Sequence, residues 1–352
     1  MERANTSVVL AERPVGNIVP GKTFAKKVQP APTEADLKDG QILAETLYLS
    51  LDPAMRGWLN DTRSYVPPVQ IGEVMRSGGL VRVLASKSPK AKAGDVVFGF
   101  SGWQEVCIMN DSGPGAFDAP FDLPASGRLT DLLGVLGMTG LTAYFGVTKI
   151  ANIKPGETVV VSGAAGATGS VVGQMAKNIF GARVVGLAGG ADKCRWLKEE
   201  LGFDEAIDYK AADFKERFAE ATPKFIDVYW DNVGGEILDM CLKRANKYAR
   251  FVMCGAISQY NSTEVKGIRN LSMVITMSIR MEGFIVLNYP TEIPKARQEL
   301  AGWLADGKIK RQETVVKGGL DKVEQALVDL FNGANTGKML VEVKGAEGSA
   351  KL

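Results

Sequence analysis

Histidine is missing altogether from the 352 residues. That absence excludes a Ser–His–Asp triad, histidine-ligated zinc and histidine general-base chemistry. Cysteine is scarce: Cys107, Cys194, Cys241 and Cys254 lie far apart and make no CxxC. Neither a structural zinc lobe nor a disulfide framework is indicated, and no metal is expected; the four read as buried free thiols of a reducing compartment. Net charge is only +2 and there is no basic tract, so no nucleic-acid partner is expected. The first residues hold no apolar core of a signal peptide. The longest apolar stretch, 132–153, is broken by Gly134, Gly137, Thr139, Gly140, Thr142 and Lys149. It suits a buried helix at a domain junction rather than a membrane span. At 45% hydrophobic and 23% charged, the chain is globular and long enough for two domains.

What is there centres on 158–177, TVVVSGAAGATGSVVGQMAK. A β-branched run at 158–162 suits a strand buried on both faces. A turn nearly free of side chains follows, and Gly169 opens an amphipathic run that reads as a helix. Strand, glycine turn and helix form the context of a dinucleotide fingerprint, here Ala164-x-Gly166-x-x-Gly169 with alanine in the first glycine position. Unpaired N–H groups and the positive end of the helix dipole suit a pyrophosphate there.

Around that stretch the pattern changes twice. Residues 1–134 carry short β-type runs at 7–10, 41–50, 79–84 and 96–100, split by turn residues such as Lys92-Ala93-Gly94-Asp95, and read as an antiparallel, barrel-like domain. From 135 to 306 strands and helices alternate. Strands are expected at 158–162, 183–187, 206–209, 225–230, 250–254 and 283–287, as in a doubly wound parallel sheet of α/β type. The segment 307–352 returns to the first domain, leaving a cleft between the two. Loops at 51–57 and 102–105, with 64–68, are candidates for one wall of it.

The second strand of the α/β part ends Gly186-Leu187-Ala188-Gly189-Gly190 with no acid. NAD sites usually place a carboxylate there for the ribose 2′-hydroxyl. Lys193 lies just beyond instead and suits a 2′-phosphate, so NADPH is expected over NADH.

The chain resembles the zinc-free medium-chain dehydrogenase/reductases, in the branch of leukotriene 12-hydroxydehydrogenase/prostaglandin reductases, 2-alkenal double-bond reductases and curcumin reductases. The resemblance covers essentially the whole chain. It rests on Asp52-Pro53-Ala54-Met55-Arg56, Gly137-Met138-Thr139-Gly140-Leu141-Thr142-Ala143-Tyr144, the 164–169 turn, Asp231-Asn232-Val233-Gly234-Gly235, the run from Cys254 to Asn261, Glu282-Gly283-Phe284-Ile285-Val286, and Gly333-Ala334-Asn335-Thr336-Gly337-Lys338. It implies a GroES-like β-barrel domain (1–134 and 307–352) beside a six-stranded Rossmann domain (135–306). It further implies that Gly166, Ala167, Thr168 and Gly169 cradle the pyrophosphate, and that Lys193 and Tyr209 meet the 2′-phosphate. Asn232, Cys254, Gly255, Ala256, Ile257, Ser258 and Tyr260 would line the ribose and nicotinamide path. Phe284, Ile285, Val286 and Leu287 would meet the carboxamide through backbone groups, and Asn335 would reach the cofactor from the returning tail. A homodimer is also implied, pairing through 281–287 and the apolar run 271–279. Ala54 stands where many relatives carry an aromatic residue, which bears on the substrate pocket.

The chemistry this implies is reduction of the C=C bond of an enone or enal by hydride from NADPH. Tyr260 is the candidate donor to the resulting enolate oxygen, helped by the nicotinamide ribose 2′-hydroxyl. The α-carbon takes a proton from water or through Tyr260, and Tyr65 is a weaker candidate for the opposite wall of the substrate pocket. Quinone reduction, oxidation of a secondary alcohol and a dinucleotide-binding protein without turnover are the alternatives. The chain is expected to be cytoplasmic; its last residues, Ala350-Lys351-Leu352, also resemble a peroxisomal address, with a plain polar tail as the even alternative.

Overall fold

In the computed structural model, residues 3–344 are described, and the chain divides into two units. The first holds 3–123, 128–133 and 314–344, and the second holds 124–127 and 134–313. The tripeptide 350–352 lies outside the described residues.

The first unit is built from antiparallel strands. β1 (Ala4–Leu10) pairs with β2 (Phe24–Pro30). β3 (Gln41–Leu51) runs between β4 (Gly79–Ser86), the strand Val106–Asn110 and the returning strand Lys338–Glu342, while β4 also pairs with β5 (Val96–Gly99). Both β2 and Val106–Asn110 escape the sequence reading: β2 is exposed over all but its first residue, so it carries no apolar alternation. The core gathers Leu10, Phe24, Met55, Trp103, Leu327 and Val341. Trp103 lies against Phe24 with ring centroids 4.9 Å apart and is fully buried, so the 102–105 segment contributes its largest side chain to the core, not to a surface wall.

The second unit is a six-stranded parallel sheet. Its strands in chain order are Thr158–Ser162, Arg183–Ala188, Glu205–Asp208, Ile226–Asp231, Ala245–Met253 and Arg280–Gly283. In spatial order the sheet reads sixth, fifth, fourth, first, second, third. Every residue of Thr158–Ser162 is buried, as expected of a central strand with helices on both faces. Val160, Val185, Ile207, Tyr229 and Phe251 meet the helices in one core.

Two segments fold differently from the expectation. The sixth strand is Arg280–Gly283, not 283–287. Its parallel partner runs out at Met253, opposite Gly283. Past that point Phe284 packs edge-on to Trp230, centroids 5.9 Å apart, and 286–288 coil into a 3₁₀ turn. The apolar run 271–279 holds a short helix, Ser272–Thr276, rather than a strand edge. The helix expected within 132–153 is present as Met138–Phe145, which continues as a π-helical stretch, Gly146–Ala151. A Cβ on Gly146 would lie 2.3 Å from the Trp230 ring and 2.7 Å from that of Phe284, so glycine at this position admits both aromatics.

Candidate cofactor and active site

The strand order of the second unit reverses between Thr158–Ser162 and Ile226–Asp231, the point where sheets of this kind bind ligands beyond their carboxyl ends. Ser162 Oγ donates to Asp231 Oδ1 at 3.1 Å and accepts from the Asn232 N–H at 3.0 Å. The Asn232 amide donates to Ser162 O at 2.7 Å, and Trp230 Nε1 donates to Asn232 Oδ1 at 3.0 Å. Asn232 is therefore a strut between the two central strands. Asp231 is fully buried and collects the Tyr229 hydroxyl at 2.8 Å and the N–H groups of Val233 and Gly234 at 3.0 and 2.8 Å. Burial raises its carboxyl pKa despite those bonds.

After Ser162 the chain turns through Gly163, at φ +58, into the helix Ala167–Asn178. The helix starts at Gly166 with no side-chain cap, leaving its first-turn N–H groups to another partner. A Cβ on Gly169 would stand 2.4 Å from Gly163 O and 2.9 Å from Ala164 Cα. Both atoms are backbone, so glycine is what lets the helix sit on the turn. Ala167 and Thr168 are half-buried in the first turn between these glycines. The first glycine of the usual fingerprint is dispensable here, because Gly163 one position earlier makes the left-handed turn.

A second cluster lies past Arg183–Ala188. Asp208 Oδ1 accepts from the N–H groups of Gly190 and Lys210, both at 2.9 Å, and so ties the Gly189–Gly190 turn to the exit of the third strand. Burial opposes the Asp208 charge, yet these two N–H groups and the cations of Lys210 and Arg217 hold its carboxyl below the ordinary value. Tyr209 N donates to Ala188 O at 3.1 Å. A Cβ on Gly189 would meet the Tyr209 hydroxyl at 2.9 Å and Lys210 Cε at 3.1 Å, so both side chains fold over that glycine. Lys193, half-buried on the first turn of the helix Ala191–Glu199, has its pKa lowered by burial and then by the neighbouring Lys210 cation. Lys193 and Tyr209 were expected here; Lys210 was not, and its only sequence signal is that it follows Tyr209.

The third cluster is the loop 254–260. The N–H groups of Cys254 and Gly255 both donate to Asp231 O, at 2.9 and 3.0 Å. Ile257 N donates to Asn232 O at 3.1 Å, and Ser258 Oγ to Val233 O at 2.6 Å. Gly234 and Gly235, at φ +69 and +58, make room: a Cβ there would meet Ala256 Cβ at 3.0 Å and Ser258 Oγ at 2.9 Å. The Ala256 N–H donates to the Tyr260 hydroxyl oxygen at 3.0 Å, and a Cβ on Gly255 would come within 3.0 Å of the same oxygen. The phenol is thus placed by its own loop. Burial, with the Asp231 carboxylate, pushes the Cys254 thiol up to about 12, so it is no nucleophile at neutral pH.

The expected carboxamide segment divides. Phe284 and Val286 are buried, Ile285 is intermediate and Leu287 is exposed. The Phe284 ring belongs to the core described above.

Tyr65 and Asn335 belong to the first unit. Trp58 Nε1 donates to the Tyr65 hydroxyl at 2.8 Å, and Arg76 lies 5.7 Å over the Trp58 ring. Burial, and then the Asp52 carboxylate, raise the Tyr65 pKa against that bond. Asn335 is buried and donates to Gly337 O at 2.7 Å. Lys338, also buried, pairs with Asp52 and donates to Leu51 O at 2.9 Å, so two sequence landmarks nearly the whole chain apart are locked together. Arg56 is buried too; it donates to the carbonyls of Pro14 and Gly16 and to Asn60 Oδ1, and braces the fold.

Comparison with known proteins identifies the family. Residues 6–116 match a family model described as the N-terminal domain of oxidoreductase, and residues 167–302 match one described as zinc-binding dehydrogenase. Among the described residues no three His, Cys, Asp or Glu side chains gather as a metal site. The chain is 42% identical to the NADPH-dependent curcumin reductase of Escherichia coli, over 98% of each protein. It is 40% identical to the NADP-dependent 2-alkenal reductase of Nicotiana tabacum, over 86% of this chain and 87% of the relative. The crystal structure of Vibrio vulnificus CurA in complex with NADPH superposes with a TM-score of 0.88 at 40% identity, covering 96% of this chain and 99% of the other.

Proposed function

The chain belongs to the zinc-independent medium-chain dehydrogenase/reductases, in the branch of the curcumin, 2-alkenal and prostaglandin reductases, and from that premise we propose that it uses NADPH to reduce the C=C bond of α,β-unsaturated ketones and aldehydes. The residues present fit the cofactor. The Gly163–Gly169 turn is a cradle that a Cβ would fill, and Lys193, Lys210 and Tyr209 gather at a glycine turn with no acid on its strand end. In this reading Gly166–Gly169 hold the pyrophosphate with backbone N–H groups, Lys193 and Tyr209 hold the 2′-phosphate, and Asn232 with the 254–260 loop lines the ribose and nicotinamide path. Backbone groups of 284–287 meet the carboxamide end.

Bound NADPH supplies a hydride to the β-carbon, and negative charge then develops on the carbonyl oxygen. Tyr260 would donate a hydrogen bond to that oxygen, and the α-carbon would take a proton from water or through Tyr260, which regenerates the carbonyl and leaves the saturated product. The Ala256 N–H strengthens this donor, because a bond accepted at Oη polarises the O–H. The 254–260 loop holds the phenol in place before substrate arrives, so little reorganisation opposes the reaction. The observation that carries the reading is this loop-held phenol at the carboxyl edge of the sheet that also carries the glycine cradle.

We further infer a homodimer. Arg280–Gly283 is the edge strand of the parallel sheet, and beside it Leu271 and Ile275 are 56% and 81% exposed, a cost that pairing with a second copy would remove. The cysteines are all free, which suits a cytoplasmic, reducing compartment, and no helix among the described residues is long and apolar enough to cross a membrane.

The test is an NADPH-oxidation panel with an enone, an enal, a quinone and a saturated ketone, products identified by mass. The reading requires saturated product with its carbonyl retained from the first two. Turnover confined to the quinone, or to the saturated ketone, would replace it.

A further inference from the structure

Lys210 stands outside every role assigned above except that of a neighbour, and its surroundings say more. Its backbone N–H and that of Gly190 share one acceptor, Asp208 Oδ1, so the turn after the second strand and the exit of the third are fastened to each other. Its Cε lies where a Cβ on Gly189 would come within 3.1 Å, so the side chain passes over the turn instead of out into solvent. Its ammonium lies 5.9 Å from the Tyr209 ring centroid, and the Tyr209 hydroxyl covers the same glycine. Lys193 stands on the first turn of the helix that follows the glycine turn, and the Lys210 cation, after burial, lowers its pKa. Among the described residues no carboxylate lies within ion-pair distance of the Lys210 ammonium; Asp208, the acid that attracts it, spends its Oδ1 on the two backbone N–H groups. An ammonium and a phenol folded over a turn without side chains, with a second lysine on the first turn of the next helix, form an arrangement that favours a dianion.

We propose that Lys210 is a coenzyme-specificity residue: with Lys193 it clamps the 2′-phosphate from two sides, and it accounts for much of the preference for NADPH over NADH. The inference rests on the NADPH reading. It explains the glycine at 189, since a side chain there would displace both Tyr209 and Lys210.

The experiment is calorimetric titration of wild type, Lys210→Gln and Lys210→Arg with NADPH, NADH and 2′,5′-ADP. Loss of one charge-assisted contact should weaken NADPH and 2′,5′-ADP binding about tenfold in Lys210→Gln. NADH binding should not change, which also shows that the variant is folded. Lys210→Arg should recover most of the loss, and raised ionic strength should narrow the gap between wild type and Lys210→Gln. If Lys210→Gln still prefers NADPH as wild type does, or loses NADH affinity equally, Lys210 is no specificity residue. A wild type that binds NADH as tightly as NADPH would instead overturn the coenzyme reading itself.

Discussion

Replacing Tyr260 by phenylalanine removes one oxygen and tests the catalytic proposal most directly. Two consequences are separable. The Ala256 N–H loses the acceptor it has at 3.0 Å, but Ala256 is only half-buried, so water replaces part of that bond. The stability cost should therefore be about 1 kcal/mol or less, a melting shift of only a few degrees for a protein of this size. The kinetic cost is larger, because the lost bond is to an oxygen gaining full negative charge. A hydrogen bond to a charged group contributes roughly 1.5–3 kcal/mol, or about ten- to hundredfold in kcat. KM for the enone should move little, since a neutral carbonyl gains less from the same donor. Gly255→Ala provides an intermediate case. Its Cβ would come 3.0 Å from the Tyr260 oxygen and 3.4 Å from Asn232 O. The phenol must yield by a few tenths of an ångström while its hydroxyl survives, so kcat should fall between wild type and Tyr260→Phe. Stopped-flow decay of NADPH absorbance under single-turnover conditions isolates the chemical step. A Tyr260→Phe enzyme that reduces an enone at the wild-type rate would refute the assignment, whatever happens to its stability.

Gly169→Ala forces a Cβ to within 2.4 Å of Gly163 O, a backbone atom that cannot swing aside; the turn must shift, and calorimetry should show NADPH affinity lowered at least about tenfold. Undiminished affinity would mean that the turn does not hold the pyrophosphate. Glu157 is opposed by burial, but the Arg250 guanidinium and the Lys154 N–H hold its carboxyl below the ordinary value. A carboxyl depressed in the folded state adds stability above its unfolded pKa, and that stability is lost as pH falls through the folded value, on the acid side of the ordinary glutamate range. Glu157→Gln should therefore cost roughly 1–3 kcal/mol at neutral pH and flatten the acid limb of the melting profile; an unchanged acid limb contradicts this. Ile275→Glu places a charge on the exposed apolar ridge beside the edge strand, and size-exclusion chromatography should show the dimer giving way to monomer. Persistence of the dimer would mean that it forms through another surface.

The sequence by itself determined the elements whose signals are local. The buried strand Thr158–Ser162, the glycine turn and its helix are legible because β-branched runs and side-chain-free turns have few other conformations. The lack of histidine and the missing acid after Arg183–Ala188 narrowed the chemistry and the coenzyme without any coordinates. Tertiary structure alone decided what depends on partners distant in the chain. Only the pairing of Met253 with Gly283 ends the sixth strand where it does, and only packing against Trp230 turns Phe284 inward. Arg56 and Lys338 look like surface charges until the carbonyls and the carboxylate that hold them are in place. Lys210 carries no motif, and it joins the second cluster because Asp208 fastens two loops through one oxygen. A residue's local preference is written in its neighbours along the chain, but its partner across space is set by where the sheet brings each strand to an end.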